Sequence, residues 1–244
     1  LEDSVPPSEK DNARIIVRNA LCIADFNGAE RMVRINPGTK GLTDLKYIIA
    51  QNVHVVLVPK VEYGEQIIEI DSTIKEIIEA SNRKEKVFII PIIESARGVL
   101  NALNIAESSP NIVALTIGLE DYAKDLGINN TTSGEESYFA RSMVLHAAKA
   151  VGIQALDSVH GNFRDEKSLR NLVRANKALG FVGKGCIHPN QIIPIHEEFT
   201  PTTKEVSKAT EIIKIFDSAI DNKTGVFELD GKIIDLPIVA KAKQ

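Results

Sequence analysis

Six short runs of valine, isoleucine and leucine, each nearly unbroken, recur along this chain, and a stretch of helical periodicity follows most of them. They are RMVRI at 31–35, HVVLV at 54–58, KVFIIPII at 86–93, IVALTIG at 112–118, IQALDSV at 153–159 and VGKGCIH at 182–188. Strands apolar on both faces are buried on both faces, the condition of a parallel sheet covered by helices. Helices are expected at 39–51, 62–81, 95–108, around 119–125, 136–150 and 165–179. A capping-box pattern, SEKD at 8–11, opens another that continues through 15–26. Strict strand–helix alternation builds either a doubly wound sheet or a barrel. The opening Leu1-Glu2-Asp3 reads as the end of a strand, and one whole strand and most of another ahead of it would raise six to eight. Six strands allow a doubly wound sheet, whereas eight would make a (β/α)₈ TIM barrel, here lacking its first strand and most of its second; either would span residues 1–200. Residues 201–244 form a different segment: a helix at 203–221, then GVFELDGKIIDLP at 225–237, hairpin-like about Asp230-Gly231, packing outside the barrel or acting as a lid.

Composition removes several function classes. Lys plus Arg number 29 against 33 Asp plus Glu, a net charge of −4, so nothing favours nucleic acid or an anionic membrane surface. No apolar run approaches the roughly 20 residues that a membrane span needs. No signal-peptide pattern is visible, and a cytoplasmic location is expected. Cys22 and Cys186 lie in apolar stretches without a CxxC partner, so they are expected as buried, reduced thiols rather than zinc ligands. The sequence holds no G-x-G-x-x-G, Walker loop, G-x-S-x-G or HExxH.

In parallel α/β folds chemistry sits at the carboxyl ends of the strands. There this chain places Glu2 and Asp3, Arg34 and Asn36, Lys60 and Glu62, Glu94, Asp121, Asp157 and His188. A carboxylate directly after an apolar strand must be paired, hydrogen-bonded or metal-bound if buried. Glu94 and Asp121 end adjacent strands, and two carboxylates without a Cys or His cluster suit Mg²⁺. The alternative is that Ser95 caps the next helix while Glu94 pairs with Arg97. Arg34 is expected as an inward guanidinium suited to a carboxylate or a developing oxyanion, or else as a structural partner of Glu2 or Asp3. Lys60 suits a phosphate or carboxylate partner better than a Schiff base, which would duplicate the work of a metal pair.

These motifs resemble one family. LEDSVP with EK..AR after it, then VRINP, VPKVE, PIIESARG, GLEDYAKDLG, KGCIHPNQI and GKIIDLP stand in the order found in the citrate lyase beta-subunit family. That family includes malyl-CoA and citramalyl-CoA lyases and falls within the wider HpcH/HpaI aldolase group. The resemblance covers residues 1 to about 240. It implies a homotrimeric (β/α)₈ barrel that binds Mg²⁺ and breaks or forms a carbon–carbon bond beside a thioester. It gives Glu94 and Asp121 as metal ligands, Arg34 as the group on the substrate's keto or hydroxyl oxygen, and the backbone N–H groups near Glu120 and Asp121 as receivers of a substrate carboxylate. Glu2 and Lys60 join them as substrate-binding residues. Asp235 matches a lid aspartate that acts as acid–base, with a helix-capping role as its alternative. Two features depart from the pattern: the family's opening strand with an Arg-Ser pair and a Pro-Gly turn is absent, and His160 and Asn162 stand where Tyr and Asp are common.

The expected activity is a Mg²⁺-dependent retro-Claisen cleavage of a 3-hydroxy-acyl-CoA thioester of the malyl, citramalyl or citryl kind into acetyl-CoA and a 2-oxo acid. One alternative is a citrate lyase subunit working on a citryl acyl-carrier-protein thioester. Another is a non-catalytic barrel that binds CoA and metal.

Overall fold

The computed structural model describes residues 1–131, 133–221 and 227–243. They fall into two compact units, Leu1–Ile195 and His196–Gln244. In the first, α1 (Lys10–Ile23), β1 (Met32–Arg34), α2 (Thr39–Ile48), β2 (Val55–Val58), α3 (Gly64–Ser81) and β3 (Phe88–Ile93) are followed by α4 (Ala96–Leu100) and α5 (Ala102–Glu107). Then come β4 (Ala114–Ile117), α6 (Leu119–Leu126), α7 (Tyr138–Ala150), β5 (Gln154–Asp157), α8 (Glu166–Leu179), β6 (Gly183–Lys184) and α9 (Ile192–Phe199), the last running across the boundary.

All six strands are parallel, in the order β1-β2-β3-β4-β5-β6. A doubly wound sheet reverses its strand order at a switch point. Here every new strand adds to the same edge, so the sheet is the curled arc of part of a (β/α)₈ barrel. Strand parity divides its residues. Val33, Val56, Val58, Ile89, Ile93, Leu115, Ile117 and Ala155 enter the main core, where Ile48, Ile67, Ile105 and Val144 of the helices meet them. The alternate positions Val55, Ile90 and Ala114 form a smaller cluster on the other face, with Leu57, Phe88 and Leu156 around it.

The structure departs from the sequence expectations at definable points. The helix expected at 95–108 breaks at Asn101, whose φ of −98° and ψ of 6° leave the helical region and whose Nδ2 donates to the Glu62 carbonyl at 2.8 Å. The strand expected at 182–188 shortens to two residues, and α9 was not expected. Both cysteines are exposed rather than buried. Cys22 lies on the solvent side of α1, its Sγ 2.8 Å from Gln51 Oε1, and Cys186 lies in the loop beyond β6.

The second unit holds α10 (Thr203–Asp221), an antiparallel pair β7 (Phe227–Leu229) and β8 (Lys232–Ile234), and α11 (Leu236–Ala242) around Ile212, Phe216, Ile234 and Val239. The expected hairpin is present from Phe227, with Asp230 (φ 53°) and Gly231 (φ 73°) in the turn; residues 225 and 226 lie outside the described residues. Among the described residues no helix is long and apolar enough to cross a membrane.

A buried polar cluster fastens α3 to the segment that leads into β4. Asp71 of α3 accepts from Lys75 Nζ at 2.8 Å, Ser109 Oγ at 2.9 Å and Asn111 Nδ2 at 2.7 Å. Burial alone would raise the Asp71 pKa, but these three donors outweigh it and hold the group below its ordinary value. A carboxylate with a depressed native pKa contributes stability above the unfolded-state value, near 3.9 for aspartate, and loses it as pH falls through the native one. Asp71→Asn should therefore cost about 1–2 kcal/mol at pH 7, and urea midpoints of variant and wild type should converge as pH is lowered below about 4.

Candidate active site

Because Ile89 and Ile93 turn toward the helices, the even positions of β3 face the other way, and Glu94 continues that series past the strand end. Arg34 sits likewise with Met32, in register with Leu57 and Val55, on the face of β1 opposite Val33. The loops around these ends are fixed by motif residues. Arg14 Nε meets Asp44 Oδ1 at 2.6 Å, and Asp44 Oδ2 accepts from the Asn36 backbone N–H at 2.8 Å and from Asn36 Nδ2 at 2.7 Å. Lys10 Nζ donates to the carbonyls of Leu1 and Glu2, both at 2.8 Å. Glu2, only 5% exposed, thereby reaches Arg34 at 2.7 Å, and Asp3 lies 3.4 Å from the same guanidinium.

Glu94 is 8% exposed. Its Oε1 accepts the backbone N–H of Lys60 at 2.6 Å. Oε2 lies over Gly118, where a β-carbon would come within 2.6 Å of it, so this cradle admits only glycine without displacement. Burial pushes the Glu94 pKa up to about 7; the Lys60 N–H and ammonium pull it down, and the nearby carboxylates of Asp121 and Glu2 push it up again. Asp121, in the first turn of α6, accepts from Lys60 Nζ at 2.8 Å. Burial lowers the Lys60 pKa, but Asp121, Glu94 and Glu2 outweigh it and the net direction is upward.

A pocket of about 430 Å³ opens here, lined by Lys60, Glu62, Glu94, Ser95, Asp121, Lys124 and Asp125. Of the residues singled out from sequence, Lys60, Glu62, Glu94 and Asp121 line it. Glu2 and Arg34 form an ion pair beside the strand ends and are not among the lining residues. The Glu120 side chain points to solvent, while its N–H lies in the first turn of α6, which Gly118 caps without a side-chain acceptor. Asp235 lies in the second unit and caps α11, its Oδ1 accepting the Ile238 N–H at 3.4 Å. Ser95 does cap α4, through the Gly98 N–H, but Arg97 lies over the Tyr63 ring rather than on Glu94.

Two strand-end residues take structural roles. Asp157, fully buried, has the parity of Ala155 and so turns toward the helix layer, where Lys184, Asn176 and Arg141 meet it. The His188 ring stacks on Phe163 at 4.5 Å. Sequence reading missed Ser95, Lys124 and Asp125 as pocket walls. The last two follow Asp121 at i+3 and i+4, the spacing that shares one helix face. Asp125 accepts the Ala96 N–H at 2.8 Å, and Glu62 accepts from Ser95 Oγ at 2.6 Å.

The donor set fits a hard divalent cation. Glu94 and Asp121 offer carboxylate oxygens, and no thiol or imidazole lines the pocket. No group of three or more His, Cys, Asp or Glu side chains placed to hold a metal occurs among the described residues. Two protein ligands with the remaining positions left to water and substrate is the habit of Mg²⁺.

The model of the HpcH/HpaI aldolase/citrate lyase family matches residues 1–189. The chain belongs to this family. It is 38% identical to the citrate lyase subunit beta of Haemophilus influenzae, over the whole chain and 84% of that protein. It is 32% identical to the mitochondrial citramalyl-CoA lyase of Rattus norvegicus, over 99% of the chain and 75% of the relative. The crystal structure of protein CitE from Mycobacterium tuberculosis, in complex with magnesium, acetoacetate and coenzyme A, matches with a TM-score of 0.81 at 28% identity, covering the whole chain and 86% of that one.

Gly118 tests whether the placement of Glu94 depends on this cradle. Gly118→Ala should leave the fold intact, at a cost of about 1–3 kcal/mol, and weaken Mg²⁺ binding about tenfold by calorimetry, since a shift of Glu94 forfeits roughly 1.4 kcal/mol or more of ligation.

Proposed function

We propose that this chain is a Mg²⁺-dependent carbon–carbon lyase that cleaves a 3-hydroxy-acyl-CoA thioester into acetyl-CoA and a 2-oxo acid. The carrying observation is the Glu94–Asp121 carboxylate pair at adjacent strand ends, bridged by Lys60 and open to a pocket. The names of the relatives support the chemistry.

Mg²⁺ held by Glu94 and Asp121 would supply Lewis-acid stabilisation of developing negative charge on oxygen. Gly118 and the Lys60 N–H hold Glu94 in one orientation, so the charged form is presented without rearrangement. Arg34 is the proposed partner of the hydroxyl oxygen as it gains charge. Glu2 and Asp3 keep that guanidinium oriented. The N–H groups of Glu120 and Asp121, at the positive end of α6, suit the substrate carboxylate. The hydroxyl proton passes to water as the C–C bond breaks toward the thioester, and the resulting enolate takes a proton at carbon. Asp235, on the proposed lid, is the proposed proton carrier for that carbon.

The acyl group belongs to the malyl, citramalyl or citryl class. The higher identity to citrate lyase beta subunits favours, as a second reading, a thioester carried on a partner protein in place of free CoA. The proposal keeps a cytoplasmic homotrimer, and light scattering at three chain masses is the result expected.

Incubation with a mixture of malyl-, citramalyl- and citryl-CoA should release acetyl-CoA from one of them with Mg²⁺ and from none with EDTA, read by mass spectrometry. Asp121→Ala and Arg34→Ala should each reduce kcat at least a hundredfold, the scale of losing one charge-stabilising group, with the far-UV circular dichroism spectrum of the folded chain retained. Near-normal turnover in either variant would remove that residue from the mechanism.

A further inference from the structure

Residue 60 touches both carboxylates of the site, its backbone on Glu94 and its side chain on Asp121. That double contact needs an uncommon backbone. Lys60 has φ 55°, in the left-handed region, although it is not a glycine. Such conformations persist where the surroundings over-determine them. Here the Lys60 N–H is held by Glu94, its carbonyl accepts from Gln66 Nε2 at 3.3 Å, and the next N–H, of Val61, donates to Ile92. The turn aims the ammonium at Asp121 Oδ2. The two side chains are 43% and 34% exposed, so the pair stands on the pocket wall, within reach of an entering ion.

We infer that Lys60 is an exchangeable internal counter-cation: its ammonium holds Asp121 until a divalent ion takes that carboxylate, and is then released to bind the anionic end of the substrate. This rests on the metal role proposed for Glu94 and Asp121. Two cations cannot share one carboxylate at contact distance without strong mutual repulsion, and a small divalent ion at roughly 2.1 Å outcompetes an ammonium at hydrogen-bond distance. Once displaced, the ammonium faces acids already held by neutral donors, Glu62 by Ser95 Oγ and Asp125 by the Ala96 N–H. An incoming carboxylate or oxyanion carries no such donor and is the stronger partner for it.

The exchange predicts effects of opposite sign from one substitution. Lys60→Met removes the competing charge, so Mg²⁺ titrated alone into the purified chain should bind about fivefold more tightly, the scale of one exposed ion pair. The same variant, saturated with Mg²⁺, should bind pyruvate, a probe for the 2-oxo acid, about tenfold more weakly. Lys60→Arg keeps the charge and should stay within about twofold of wild type for Mg²⁺. A merely structural role would loosen both ligands in Lys60→Met. Unchanged or weakened Mg²⁺ binding there, with wild type binding and Asp121→Ala not, would overturn the exchange and leave the metal site standing. Unchanged pyruvate affinity would overturn the release to substrate. Wild type failing to bind Mg²⁺, or Asp121→Ala binding it equally well, would overturn the metal reading and the exchange with it.

Discussion

The site is organised by the need to keep a charge at Glu94, a carboxylate 8% exposed at the end of an apolar strand. An isolated ion there would neutralise, and the pKa of about 7 shows how far burial drives it that way. Each neighbour answers that problem. The Lys60 N–H gives a charge-assisted hydrogen bond, and Gly118 gives room for the second oxygen. The left-handed turn at Lys60 delivers both an N–H and an ammonium from one residue. The arrangement is locally strained and locally crowded, and the packed sheet beneath it holds it in place.

That sheet does so through parity. One face of each of β1 to β5 is committed to the main core, so a polar residue just beyond such a strand has its direction set before any interaction of its own is counted. Glu94 and Arg34 fall on the helix-free face. Asp157, with the opposite parity, is drawn into the helix layer, where Lys184 and Asn176 both donate to its Oδ2. Three acids or bases at similar places in the sequence thus take different roles for a geometric reason.

Parity also marks how much was legible beforehand. The six strands could be read because β-branched runs bounded by helical periodicity have few other uses, but their number allowed a doubly wound sheet as well as a barrel arc; sequential strand order decides it. Glu94, Asp121 and Lys60 were legible from position alone. The break at Asn101 was not, since it depends on a hydrogen bond to Glu62, a long-range partner that no local pattern announces. The exposure of Cys22 and Cys186 escaped notice because apolar neighbours in sequence do not fix which side of a helix or loop a residue occupies. Lys124 and Asp125 carried a usable signal, but only after α6 had been anchored on Asp121.

The charge of the pocket wall bears on the order of events within it. Glu62, Glu94, Asp121 and Asp125 stand against Lys60 and Lys124, so the wall is net acidic. An anionic thioester approaching it meets repulsion focused by a concave, partly desolvated surface. A divalent cation between Glu94 and Asp121 would cancel two of the four carboxylates and release Lys60 from Asp121, so the formal excess of negative charge on the wall would vanish. The acids that make the site attractive to a cation thus make it hostile to the substrate until that cation is present. A single set of side chains thereby favours the metal entering before the anion.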